Sequence, residues 1–325
     1  MIMHVGNPPP VSPRHRTGRQ APGPAPNLRS SPRGGPRWSP WCRWEVSALL
    51  LGLLFLAPAL LAQQSRLGWH GETMPVGLAK GEAEGEYVWK KDGAIMVYVP
   101  PGEFPMGRAG GAADEGPVHR VHLDGYYIDK YEVTWGQWKK SGLPYLEKPN
   151  PRLPQPSSPD WGIVDDQPAV NVSWKFAQRY LAWAGKRLPT EAEWEKAARG
   201  TDGRTYPWGN EPPTFDRAVW RDHPVALRGT ESARCCTAGA SPYGVVNMAG
   251  NVYEWCQDTY RRDFYAHSPA SNPLEEVEGQ QRVLRGGAFV LEKDELSSTY
   301  RYRLWEVDKT PYIGFRAVVS GQGGG

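Results

Sequence analysis

Two helices can be drawn between Asn171 and Asn210 from capping residues alone, in the stretch NVSWKFAQRYLAWAGKRLPTEAEWEKAARGTDGRTYPWGN. Ser173 is an N-cap, and Trp174, Ala177 and Leu181 follow on one face at helical spacing. Gly185 ends that helix in a left-handed turn. Thr190 opens a second helix, and Glu193 three residues on completes a capping box. Trp194 and Ala198 then face the core and Gly200 is the stop. Pro207-Trp208-Gly209-Asn210 makes a rigid turn carrying a large aromatic anchor. Short helices separated by glycine, proline and tryptophan predict a fold with much ordered, irregular backbone.

The rest of the chain divides by composition. Residues 1–45 are rich in Pro, Gly, Ser and Arg, have little to bury, and are expected to be disordered. Residues 46–62 (VSALLLGLLFLAPALLA) are continuously apolar, which predicts a signal peptide or a single N-terminal membrane anchor. Arg43 and the basic tail precede that segment, so the positive-inside rule places the following domain outside the cytoplasm. Residues 63–86, polar with repeated Gly and Glu, are read as a linker, and 87–321 as the folded domain. Ser141–Asp160, rich in Pro and Ser, is expected to be an exposed loop. The net charge is only +3, so nothing points to a nucleic-acid partner.

Further segments carry ordered motifs: VPPGEFPM from Val99 to Met106 before Gly107, YIDKYEVTWGQW from Tyr127 to Trp138, and YGVVNMAGNVYEW from Tyr243 to Trp255. Arg285-Gly286-Gly287, Arg301-Tyr302-Arg303 and Gly314-Phe315-Arg316 close the series. Together with the helical stretch, they resemble the formylglycine-generating enzyme family, also called the sulfatase-modifying-factor family, from about Tyr87 to Val319. The resemblance implies an α+β fold, a C-type-lectin-like variant with little regular secondary structure. It also implies an activity: oxidation of a sulfatase cysteine to formylglycine at a copper ion held by two cysteines.

Those two cysteines are missing. Thiolate sulfur selects soft Cu(I), and no Cys follows Cys256. Leu291 and Thr299 occupy the corresponding positions, so copper is not expected. The family's structural disulfide positions are also changed, to Leu181, Ala198, Leu304 and Ala317. By the same resemblance, Asn247, Gly250, Val252 and Glu254 are expected to bind calcium, through two side chains and two carbonyls. Oxygen donors of this kind suit that ion. Ala218-Val219-Trp220 replaces the asparagine-containing block of the family's other calcium site, its first, which is not expected here.

The domain keeps Cys235, Cys236 and Cys256. A disulfide from Cys256 to Cys235 or Cys236 is expected in an oxidising compartment, with free thiols or a local metal cluster as alternatives. His119 and His122 lie an odd number of strand positions apart, so they diverge and make a poor ligand pair. Arg285, Arg301, Arg303 and Arg316 recur among aromatic residues and are expected to pair with carboxylates or stack on rings; a positively lined binding cleft is the alternative. The functional expectation is an exported or membrane-anchored, non-catalytic domain that binds a peptide, protein or glycan. The alternatives are a copper oxidase with displaced cysteine ligands and a structural envelope component.

Overall fold

A computed structural model describes residues 67–144, 163–277 and 281–321. The expected tail, residues 1–45, the apolar segment, 46–62, and most of the 141–160 loop lie outside the described residues. Among the described residues three α-helices are present: α1 (Trp135–Lys140), α2 (Trp174–Ala184) and α3 (Glu191–Arg199). The same residues form eleven short strands: β1 (Leu78–Lys80), β2 (Glu86–Trp89), β3 (Ile95–Val99), β4 (Gly102–Met106), β5 (His119–Leu123), β6 (Tyr126–Asp129), β7 (Tyr253–Thr259), β8 (Gln281–Arg285), β9 (Tyr302–Trp305), β10 (Ile313–Gly314) and β11 (Val318–Ser320).

They form three sheets. One has the order β1-β2-β3-β6-β11, one β10-β7-β8-β9, and β4 pairs with β5 alone. All pairings are antiparallel except β10 with β7. The last strand, β11, lies beside β6 in the middle of the sequence, so the C-terminal segment locks the first sheet.

Both expected helices form with their expected caps. Ser173 Oγ accepts from Phe176 N, and Gly185 closes α2 at φ 72°, ψ 34°, where a side chain would be strained. Thr190 and Glu193 make the reciprocal capping box of α3. Each cap contributes about 1 kcal/mol. A third signal, Thr134-x-x-Gln137, caps α1 in the same way.

The segment read as a linker is corrected. Within 63–86, residues from 67 onward belong to the domain: β1 adds to the edge of β2, and Met74 and Leu78 are buried with Tyr87, Trp89 and Met96. The pull is hydrophobic, since these side chains form one buried cluster with Trp69 packed against it. A larger core lies between α1, α2 and β7, where Trp138 stacks on Tyr180 with ring centroids 5.4 Å apart. Another surrounds α3, packing Trp194 and Ala198 against Met106, Val121 and Val283.

Candidate functional site

Helix α3 carries its charge inward. Glu191 and Glu195 lie four residues apart on one face, and both are buried. Arg285, at the end of β8, donates to Glu191 Oε1 at 2.7 Å, Glu195 Oε2 at 2.7 Å and the Ser298 carbonyl at 2.6 Å. Arg301 adds two bonds to Glu191, at 2.7 and 2.9 Å, and Arg199 pairs with Glu195 at 3.0 Å. Burial works against the Glu191 charge, but Arg301 and Arg285 outweigh it and hold the carboxyl below its ordinary range. Arg301 also stacks on Tyr265, 4.5 Å from the ring centroid. Nearby Asp258 accepts from Glu191 N at 2.7 Å; burial, then Glu191, pushes its pKa up to about 8. Arg285, Arg301 and Arg316 therefore tie loops together as expected. Arg303 is exposed and lies 4.4 Å over the Tyr260 ring.

Leu291 and Thr299, the residues expected at the positions of the family's cysteine pair, sit in different surroundings. Thr299 is buried; its hydroxyl donates to Glu115 Oε2 at 2.6 Å and lies 2.8 Å from Ser297 Oγ. Arg108 pairs with the same Glu115 oxygen at 3.1 Å. Leu291 is half-buried against the helix core, and its carbonyl accepts from Arg221 N at 2.9 Å. A threonine hydroxyl bonded to a carboxylate and a hydrocarbon offer no thiolate.

The Asn247–Glu254 loop is a tight structure. Gly250 has φ 82°, and a Cβ there would meet the Val219 carbonyl oxygen at 2.2 Å, so the 218–220 segment docks only on glycine. Glu254 is fully buried and accepts from Arg316 Nε and Nη2 at 2.6 Å each and from Trp194 Nε1 at 2.8 Å. Asn247 donates to Glu132 and the Ala233 carbonyl, while its Oδ1 faces Cys235 Sγ at 3.5 Å. Asn251 donates to Glu132 at 2.8 Å. The donors at Asn247, Gly250, Val252 and Glu254 suit calcium in kind, because they are hard oxygens. They are poorly charged for it, because Glu254 is already neutralised by a buried guanidinium.

The expected disulfide is corrected. All three cysteines of the domain are free. Cys256 is buried among Met106, Val121, Val245 and Val283, whereas Cys235 faces Asn247 and Cys236 lies 3.8 Å from the Phe215 carbonyl. The core position of Cys256 therefore does not give it the geometry that a bridge to either of the other two requires. Among the described residues no group of three or more His, Cys, Asp or Glu gathers to hold a metal. His119 packs on Tyr265 and bonds the Pro117 carbonyl, while His122 pairs with Ser271 through the backbone.

A cleft of about 560 Å³ opens beside the start of α3, lined in part by Tyr126, Arg187, Glu193, Gln257, Asn272 and Leu274. Its walls are cross-linked: Arg187 forks onto Glu193 at 2.6 Å twice, Gln178 donates to Gln257 at 2.9 Å, and Gln257 donates to Glu276 at 3.0 Å. This size falls within the range of ligand pockets, and the polar groups are held in place before any ligand arrives. Neither the cleft nor the α3 ion network was foreseen as a site; the network's signal was the Glu191/Glu195 spacing beside Arg285 and Arg301.

Comparison with known proteins agrees with this architecture. Residues 84–320 match the sulfatase-modifying factor enzyme 1-like domain. The chain is 34% identical over 257 residues to formylglycine-generating enzyme of Streptomyces coelicolor (63% of this chain, 82% of the relative). It is 30% identical over 281 residues to inactive C-alpha-formylglycine-generating enzyme 2 of Mus musculus (69% and 85%). It also matches serine/threonine-protein kinase Pkn1 of Chlamydia trachomatis at 34% identity, over 64% of this chain and only 35% of that protein's length. The structure of PvdO from Pseudomonas aeruginosa aligns with a TM-score of 0.63 and 26% identity, over 74% of this chain and all of PvdO. With the family's ordered motifs, its α+β fold and a match across most of its length, the chain belongs to the sulfatase-modifying factor enzyme 1-like domain family.

Proposed function

We propose that this protein is a non-catalytic, extracytoplasmic member of its family that binds a peptide, protein or glycan. The observation that carries the reading is Thr299, whose hydroxyl is committed to Glu115 where the copper chemistry needs a thiolate. Leu291 supplies no donor at the other position. A family relative whose name describes it as inactive supports the same reading. The cleft beside α3 is the ligand site in this proposal: its amides, carboxylates and single arginine match the hydrogen-bonding groups of a peptide backbone or a sugar.

The direct test is oxygen consumption with a peptide carrying the sulfatase recognition motif, in the presence of copper. No turnover is expected; formylglycine in the product would overturn the reading and favour an oxidase working through displaced cysteines. Screening against peptide and glycan arrays then tests binding. A hit lost in Gln257→Ala supports the cleft, whereas no hit favours a structural envelope role. Export rests on the 46–62 segment after Arg43, and cell fractionation tests it. Calcium, if held by Asn247 Oδ1 with the carbonyls of Gly250 and Val252, is proposed to bind only weakly, since Arg316 already neutralises Glu254. Calorimetric titration showing submicromolar binding would refute that.

A further inference from the structure

Cys235 and Cys236 adjoin in sequence, and both are free and half-buried. They precede a short turn, Thr237–Gly239, and Cys236 adopts φ 55°, ψ 36°, a left-handed conformation uncommon for any residue other than glycine or asparagine. Cys235 Sγ points inward to Asn247 Oδ1 at 3.5 Å, while Cys236 Sγ lies at the surface, 3.8 Å from the Phe215 carbonyl. Cys256, the third thiol of the domain, is fully buried in the core.

We propose that Cys235 and Cys236 are a reversible modification site, at which a small-molecule disulfide oxidises the two thiols to a vicinal disulfide. The surface thiol, Cys236, attacks the disulfide RS–SR as its thiolate; an S–S bond breaks and RS⁻ leaves, taking up a proton. Cys235 then attacks the mixed disulfide, forming the Cys235–Cys236 bond and releasing the second RS⁻, which is also protonated. Two protein thiols are oxidised and one disulfide is reduced to two thiols. Neighbouring Cα atoms across a trans peptide lie about 3.8 Å apart, below the separation of about 4.4–6.8 Å usual for disulfides. The closed ring is therefore strained and easily reduced, which makes it a switch rather than a staple. Closing it removes the thiol hydrogen of Cys235 from Asn247 Oδ1 and so reaches the Asn247–Glu254 loop.

The full-length protein is incubated with oxidised glutathione, alkylated, digested and mass-mapped. The peptide holding Cys235 and Cys236 should lose two hydrogens and take no label, and a dithiol reductant should restore both sites. Persistent glutathione on either residue, a link to Cys256, or full alkylation of both thiols would overturn the proposal. A second reagent needs no oxidation. Phenylarsine oxide should bind the native protein through two As–S bonds with loss of water, and either Cys235→Ser or Cys236→Ser should abolish it, whereas Cys256→Ser should not. Arsenical binding that survives both serine substitutions would also overturn it.

Discussion

Replacing Arg316 with methionine tests what holds the closing strand to the middle of the molecule. Arg316 is completely buried and makes three bonds to protein carbonyls, Asp129 at 3.0 Å, Lys130 at 3.2 Å and Val246 at 2.9 Å, besides the fork onto Glu254. Methionine fills much of the volume but strands Glu254 in a dry interior with only Trp194 Nε1 as a donor, next to the buried Glu132. Removing one partner of a buried ion pair costs about 3–5 kcal/mol, mostly from the charge left behind. Arg316→Met should therefore lower the urea-unfolding free energy by about 4 kcal/mol. If the stranded charge is the cause, adding Glu254→Gln should recover at least half of that loss, because it neutralises the carboxyl while keeping its shape. A single-mutant cost below about 1 kcal/mol would refute the buried-charge argument. So would a double mutant as unstable as the sum of its parts, which would show that packing, not charge, dominates.

Thr190→Ala should cost about 1 kcal/mol in the same unfolding assay, because Glu193 N loses its acceptor. Leu78→Ala should cost about 2–3 kcal/mol, since Leu78 is buried under the first sheet; a neutral result would restore the linker reading of that segment. Asp258 keeps its proton longer when folded, its pKa rising from 3.8 to about 8, so the folded state binds the extra proton between those values. Stability from this group is thus greatest at low pH and is lost as pH rises through that window. Wild type minus Asp258→Asn should accordingly fall in stability from pH 5 to pH 8, and a flat difference would refute the assignment.

The capped helices were legible because their signals are local: a serine or threonine, a glutamate three residues on and a glycine set the ends without reference to the rest of the chain. Thr134-x-x-Gln137 carries the same signal and could have located α1. β1 was missed because a three-residue strand beside Gly and Glu has no periodicity to read, and only the burial of Trp69, Met74 and Leu78 against Trp89 shows that it belongs to the sheet. The cysteine pairing failed for a different reason: a disulfide needs a specific Cα separation and direction, and sequence distance measures neither. The arginine roles were legible only in kind. That Arg285 and Arg301 converge on Glu191 could not be read without the structure, since the partners lie 94 and 110 residues apart.

That same wiring sets a schedule for the nascent chain. Helix α3 is synthesised with two glutamates facing inward; Arg199 reaches Glu195 within the same helix, but the cations that pair with Glu191 emerge only after roughly a further hundred residues, at the elongation rate of about 5–20 residues per second. The Asp129 carbonyl waits longer still, for Arg316, 187 residues later. Until Arg285 and Arg301 have been released, Glu191 has neither of its guanidinium partners, so α3 is expected to seat its charged face in the core only late in synthesis.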